Sequence, residues 1–339
     1  MKTIGILTYW GVPNYGAWCQ AYALNNVVRT IVDDSYEVRH INYLTKVHND
    51  FYYLNDIRLQ NSFLYSWEII PHTDKLNEES IETEHFDIII TGSDSIWEYS
   101  VKEMGDDRHL IGNGLNAGKL IAYAASSGVT NRAECEKWVD DGLERYDSIT
   151  VRDEHTRNFV KDAIGITPEI VVDPALLWNF KDDKNIPEPV YDNYIAVYGS
   201  KWDESFIKEA KQFAKDKGLL LISLGMVNDW CDISLKMIEL RTIEWIGFFK
   251  KASYVFTSTF HGLMFGLNFN KQIKFDQVGY VVNRSETLLR QLGGNLEKFI
   301  EVKDYHRIFE MTLNYNLINE RLDILRNHSM NLLREGILS

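Results

Sequence analysis

The sequence has only three cysteines, Cys19, Cys135 and Cys231, far apart and outside any C-x-x-C spacing. That excludes a disulfide framework and a zinc knuckle and fits a reducing compartment. Proline is scarce as well, with 6 in 339 residues, which leaves little room for long unstructured linkers. No stretch of about 20 apolar residues occurs, so no transmembrane helix is expected. The opening MKTIGILTYWG carries a short aliphatic run, too brief for the core of a secretion signal, and a soluble cytoplasmic protein is the expectation. Positive charge is in deficit, since 36 Lys and Arg face 49 Asp and Glu for a formal net charge of −13. Such a surface repels nucleic acid and anionic membranes, and no polybasic or amphipathic anchor is visible. Nucleic acid drops out as a partner.

Several chemistries are missing too. There is no Asp-x-Asp, no H-x-x-x-H or H-E-x-x-H, no G-x-x-x-x-G-K-[ST] loop and no G-x-S-x-G elbow. Metal-dependent sugar transfer of the Asp-x-Asp kind, zinc chemistry, P-loop phosphoryl transfer and α/β-hydrolase chemistry therefore lose weight, and no metal ligand set is assigned.

What is present is a core. Hydrophobic residues make up 45% of the chain and aromatics 13%, including 9 Trp and 18 Tyr. One core usually stops growing near 250–300 residues, so two domains are expected. Strand-like runs at 3–8, 38–43, 86–91, 119–124, 148–152 and 169–172 alternate with helix-like segments at 17–31, 133–144 and 154–163. That alternation implies a mostly parallel sheet with helices on both faces. Residues 181–193, KDDKNIPEPVYDN, combine charge with two prolines and lack an apolar period, the composition of a linker. Beyond them the pattern restarts, with strands 194–198, 219–224, 254–257 and 272–275 and helices 204–217, 242–251, a short one after His261, and 282–292. Gly218 is the expected C-cap of the first of these helices. The expected fold is α/β, two doubly wound Rossmann-like domains facing a cleft. They comprise an N-terminal domain 1–180 with an irregular insertion at 44–85, the linker 181–193, a C-terminal domain 194–304 and a helical tail 305–339, helical to about 333.

Ligands in such sheets sit beyond the carboxyl ends of the strands, so the segments that follow strands are the candidates. The first strand runs into Asn14-Tyr15-Gly16 at a helix N-terminus, which can hold an anion or sugar hydroxyls or can simply be a capped turn. Ser93, Asp94 and Trp97 follow the strand ending at Thr91, as substrate contacts or as a cap with a core Trp. Ser126 lies in a run of small residues that permits close approach of a ligand or of another backbone. Arg152, at the end of 148–151, can clamp a carboxylate or phosphate, or pair locally with Asp153. Thr259-Phe260-His261-Gly262 ends a β-rich run with hydroxyls, a His and a Gly opening an apolar helix. A His there exchanges protons near neutral pH, its reference pKa being about 6.5, although a lone His is also a common structural residue.

These segments, in this order, resemble the polysaccharide pyruvyl transferase family. The resemblance is carried by GILTYWGVPNYGAWCQAYAL, IIITGSDSIW, LIAYAASSG, SITVRDEHT and YVFTSTFHG, with VVDPALLW and VNRSETLLRQLG also fitting, so it spans nearly the whole chain. It implies a fold similar to GT-B glycosyltransferases, with the N-terminal domain on the acceptor side and the C-terminal domain on the donor side. It also implies transfer of pyruvate from phosphoenolpyruvate to a sugar of a cell-surface polysaccharide, giving a ketal and phosphate with no cofactor beyond the donor substrate. Arg152 and His261 match the positions carried over as catalytic. No other role is carried over. Asn14, Tyr15, Gly16, Ser93, Asp94, Trp97, Ser126, Thr259, Phe260 and Gly262 are the expected substrate contacts from their places after strands. Arg284 and Arg241 are weaker second anion contacts, for which a helix-surface Arg is the alternative. Trp10 is a further ring that could stack on a sugar. The sequence departs from the family at Thr259, where Ser is common, and at Trp18-Cys19, where aliphatic residues are common. The partners implied are phosphoenolpyruvate and a sugar, glycan or lipid-linked glycan, the last bringing transient association with a membrane-bound polysaccharide assembly system. Two other readings fit the same fold: a GT-B-like glycosyltransferase using a nucleotide sugar, and a non-catalytic glycan-binding assembly subunit.

Overall fold

Strand β1 (Lys2–Leu7) is buried from Ile4 onward without alternation, the signature of a parallel strand covered on both faces. In the computed structural model of the protein, which describes residues 1–45, 47, 50, 57–102, 105–279, 281–301 and 304–339, β1 belongs to a six-stranded sheet. Its other strands are β2 (Tyr36–His40), β3 (His85–Thr91), β4 (Asn116–Ala125), β5 (Ser148–Val151) and β6 (Glu169–Ile170). The order is β2-β1-β3-β4-β5-β6 and every pairing is parallel. One face is covered by Val139, Leu143, Phe159 and Val160 from the helices Trp138–Leu143 and Glu154–Ile164. The other is covered by Leu24, Val27 and Val28 of the helix Tyr15–Ile31 and by Leu333 and Ile337 near the C-terminus. Helices on both faces make the sheet doubly wound.

A second sheet has the order β11-β10-β7-β8-β9, again parallel throughout, from β7 (Tyr194–Tyr198), β8 (Leu220–Gly225), β9 (Ile233–Lys236), β10 (Tyr254–Thr257) and β11 (Gln272–Phe275). The helix Glu204–Lys217 starts at Asp203, whose side chain accepts from the Ser205 N–H, and stops at Gly218 with φ +64°, as its composition predicts. It buries Phe206, Ala210 and Ala214 against Ile195, Val197 and Phe256. The chain thus forms two compact units, one from Met1–Gln60, Leu64–Trp178 and Leu325–Ser339, the other from Asn61–Phe63 and Asn179–Ile324. No helix among the described residues is long and apolar enough to cross a membrane.

The segment at 181–193 packs on the second unit. Lys251 donates to the Pro189 carbonyl at 3.0 Å, and a Cβ on Gly247 would collide with the Pro187 carbonyl. Within 44–85 lie the helices Ile57–Glu68 and Glu78–Thr83, while positions 46, 48, 49 and 51–56 lie outside the described residues.

Three expectations need correction. The helix expected at 133–144 is a 3-10 turn, Arg132–Glu134, followed by Trp138–Leu143, because Arg132 turns back to bind Asp140 and the Cys135 carbonyl. Strand β9 was not expected. The long tail helix is two helices, Tyr305–Glu310 and Tyr315–Leu338, and the cause of the break lies in β11. Lys274 donates to the carbonyls of Ile308 at 2.9 Å and Met311 at 2.6 Å, and Gln272 both donates to and accepts from the Leu313 backbone, so these groups are lost to a continuous helix. The tail is also no appendage, since Ile308, Phe309, Leu313 and Leu322 are buried.

Burial pushes the Lys274 ammonium from 10.5 down to about 8. Unfolded chains keep that proton to about 10.4, so between about 8 and 10 the unfolded state binds more protons and stability rises with pH. The thiols of Cys19, Cys135 and Cys231, all raised by burial, contribute the opposite slope over the same window. The Lys274 contribution is therefore read as the difference between denaturant melts of the wild type and of Lys274→Met, which should shift in favour of the wild type as pH rises.

Candidate functional site

In the first unit the loops leaving β1, β3, β4 and β5 interlock at the carboxyl edge of the sheet. The Thr8 hydroxyl donates to the Ser93 carbonyl at 2.9 Å and accepts from Gln20 at 3.0 Å. Ser93 Oγ lies 3.0 Å from the Ala124 carbonyl and 3.1 Å from Asp173 Oδ2. Asp94 (φ +74°) and Ala124 (φ +51°) are both left-handed, and a Cβ on Gly92 (φ +105°) would collide with the Tyr123 carbonyl. Non-glycine residues in that region cost about 1–3 kcal/mol each and tend to gather at working sites.

Arg152 stands at the end of β5, its side chain only 2% exposed. Its Nη1 donates to Asp173 Oδ2 at 2.8 Å, Nη2 lies 3.4 Å from Ser95 Oγ, and Asp94 Oδ1 is 3.9 Å away. Burial alone would lower its pKa, but Asp173, then Asp94 and Asp153, hold the guanidinium more firmly protonated than usual. Arg152 is therefore neutralised by the protein's own carboxylates. Asp94 is the more open member, its side chain 15% exposed.

The other expected residues of this unit divide by use. Ser126 Oγ donates to Asp153 Oδ2 at 2.7 Å and accepts from the Gly128 N–H, and its own N–H donates to the Asp94 carbonyl, which joins it to the group. Asn14 accepts from the Ala17 N–H as a helix cap, with Tyr15 and Gly16 buried in the first turn behind it. Trp97 is fully buried and donates to the Leu110 carbonyl at 2.9 Å, so it serves the core. Trp18 is equally buried, its indole donating to the Ser66 carbonyl at 2.6 Å, and burial pushes the Cys19 thiol well up, with the Asp173 charge adding to it.

Asp173 is not among the expected site residues, although the segment VVDPALLW that contains it fits the family resemblance. It caps a short helix, Oδ1 accepting from the Ala175 N–H at 2.9 Å. Its second oxygen joins Ser93 to Arg152.

In the second unit β7, β10 and β11 present their carboxyl ends side by side. The Thr257 hydroxyl donates to the Tyr198 carbonyl at 2.7 Å, and a Cβ on Gly199 would collide with Ser258 Oγ, so the β7 and β10 loops touch. Thr259 caps the helix Phe260–Asn268, its hydroxyl accepting from the Gly262 N–H at 3.1 Å. Thr at this position keeps the capping oxygen that Ser would supply. Gly262 is buried, and a Cβ there would collide with Thr257 Oγ1. Phe260 is buried, and the half-buried His261 follows it in the first turn, at the positive end of the helix dipole. Beside β10, Asp276 follows β11, accepting from the Tyr305 hydroxyl at 2.6 Å and the Asp203 N–H at 2.9 Å. Burial raises its carboxyl above the ordinary range. Arg284 lies on the helix Val281–Leu292, half-buried, and Arg241 is the N-cap of Thr242–Lys251, where its N–H donates to Glu244.

Polar groups gathered where parallel strands end, on two parallel α/β sheets, define a protein of the two-domain Rossmann-like class. A family model described as polysaccharide pyruvyl transferase matches residues 14–273, and the chain belongs to that transferase family. Among solved structures, a putative UDP-N-acetylglucosamine 2-epimerase from Listeria monocytogenes is similar at TM-score 0.52 and 11% identity, covering 97% of this chain and 96% of that one. A UDP-GlcNAc 2-epimerase from Methanocaldococcus jannaschii is similar at TM-score 0.52 and 8% identity, covering 96% and 93%. At such identities the likeness concerns the fold. No curated protein matches the sequence.

Proposed function

We propose that the protein transfers pyruvate from phosphoenolpyruvate to a sugar of a cell-surface polysaccharide or its precursor, forming a pyruvate ketal and releasing phosphate. The family match over 14–273 carries this reading. Two sugar hydroxyls are consumed. The first adds to the central carbon of the donor while its methylene carbon gains a proton and becomes the methyl group. The second displaces phosphate, and its proton leaves with the products.

His261 is the group assigned to proton exchange, giving the proton to the methylene carbon or taking one from an attacking hydroxyl. Its place at a capped helix N-terminus, where an anion is favoured, supports a role beside the donor. Arg152 is assigned differently from the clamp expected of it. With Asp173 and Asp94 beside it, it is a positioning residue that holds the Ser93–Ser95 turn, and Asp94, the more open carboxylate, is the contact for an acceptor hydroxyl. On this reading the protein works in the cytoplasm, where phosphoenolpyruvate is made, and meets any lipid-linked acceptor only transiently at the membrane face.

Calorimetric titration with phosphoenolpyruvate, repeated with a uridine diphosphate sugar, tests the donor. Saturable binding of phosphoenolpyruvate is expected. Binding of the nucleotide sugar alone would move the function to glycosyl transfer. Phosphoenolpyruvate binding without phosphate release on any glycan would point to a non-catalytic assembly subunit.

A further inference from the structure

A cavity of about 640 Å³ opens in the first unit between the ends of β1 and β2 and the helix Ile57–Glu68. Its size is that of a small-molecule site. Trp10 and Gly11, from the loop after β1, and Asn42, after β2, form one wall, while Gln60, Leu64 and Trp67 of the helix form the other. The walls are fastened together. Trp18 donates to the Ser66 carbonyl of the helix, Trp10 donates to the Ile41 carbonyl at 3.3 Å, and the Trp10 and His72 rings lie 5.0 Å apart.

The lining says what class of ligand fits. A saccharide has apolar C–H faces and an edge of hydroxyls that both donate and accept. It needs flat or aliphatic surface together with amides or carboxylates, which is what Trp67 and Leu64 with Asn42, Gln60 and Glu68 provide. The charged lining is mixed, Glu68 against Lys75 with His72, so the cavity offers little net attraction to a donor that carries both a carboxylate and a phosphate.

Its place in the sheet is informative as well. The wall formed by the ends of β1 and β2 stands one to two strand spacings, about 5–10 Å at about 4.8 Å per strand, from β3, which leads into Asp94. A sugar held in the cavity thus leaves room for the adjoining ring of the same acceptor at the Asp94 turn. Trp10 also follows Thr8, whose hydroxyl holds the Ser93 carbonyl, so the cavity and the Asp94 turn share one edge.

We propose that this cavity is a glycan subsite that binds a sugar of the acceptor next to the one being modified, so that the acceptor is an oligosaccharide or longer. This deepens, and rests on, the pyruvyl-transfer reading. The test reads binding without any donor, so a wrong donor leaves it unmoved and shows instead as absent phosphoenolpyruvate binding in the titration above. Saturation-transfer NMR would be run on the full chain with lactose, cellobiose, maltose, mannobiose and chitobiose and with their monosaccharides. At least one disaccharide should bind more tightly than its own monosaccharides. Gln60→Ala and Trp67→Ala should each weaken it about tenfold, the loss that about 1.4 kcal/mol produces. Gln60 is half-exposed on its helix, so its variant keeps the fold if Trp67→Ala does not. The proposal is overturned if no disaccharide of the set binds, if binding does not exceed that of the monosaccharides, or if the bound one is indifferent to Gln60→Ala.

Discussion

Replacing Arg152 with methionine is expected to cost about 3–5 kcal/mol of folding stability, because it strands a charge in the interior. Asp173 is 1% exposed, and Arg152 Nη1 is the cation at 2.8 Å from it. An Asp173→Asn variant alone should also destabilise, since it leaves the guanidinium with the more distant Asp94. Combining Arg152→Met with Asp173→Leu should recover much of the loss, because an apolar pair of similar volume avoids desolvating either ion. Urea unfolding of the three variants reads this directly. If Arg152→Met unfolds at the wild-type midpoint and only weakens phosphoenolpyruvate binding, the clamp expected from the sequence is the right role and the positioning role is wrong.

The second large effect falls on turnover. His261→Ala should lower the rate of phosphate release about 10²- to 10⁴-fold, the usual contribution of a positioned acid or base, with phosphoenolpyruvate affinity mostly kept. The half-buried His261 stands in the first helical turn, and the hydrogen bond that caps this helix comes from Thr259, so the substitution leaves the cap in place. Thr259→Ala is the useful companion. It removes the bond to the Gly262 N–H and should cost about 1 kcal/mol of stability with a smaller loss of turnover. Equal turnover losses in the two variants would mean that helix placement, not proton exchange, is what His261 supplies.

Local chemistry explains which parts of this architecture could be read in advance. The bounds of β7, β10 and β11 and of the helices Glu204–Lys217 and Thr242–Lys251 follow from caps and apolar spacing that lie within the segments themselves. Strand β9 is four residues, ISLK, none of them fully buried, so it carries no apolar run and exists through its pairing with β8. The break at 311–314 is made by Gln272 and Lys274, about forty residues earlier in the chain. The same limit applies to the site. Thr259 and His261 are legible because cap and helix are neighbours in sequence, and Arg152 is legible as a polar residue at a strand end. The pairing that neutralises Arg152 is not legible, since Asp173, though part of VVDPALLW, lies 21 positions on and meets Arg152 only through the fold.

The helix Tyr315–Leu338 gives its last turns to the unit that opens the chain. Leu333 and Ile337 close over Ile4, Ile6, Val28 and Ile121, and Ser329 Oγ accepts from the Val172 N–H at 3.0 Å. During synthesis, at about 5–20 residues per second, those turns emerge roughly 7–30 s after Trp178. Through that interval the first sheet waits with one face incompletely covered. Completion of the first unit is thereby tied to the arrival of residues 325–339, and a nascent chain interrupted just after Ile324 would hold every residue of the second unit while the first still lacked part of its cover.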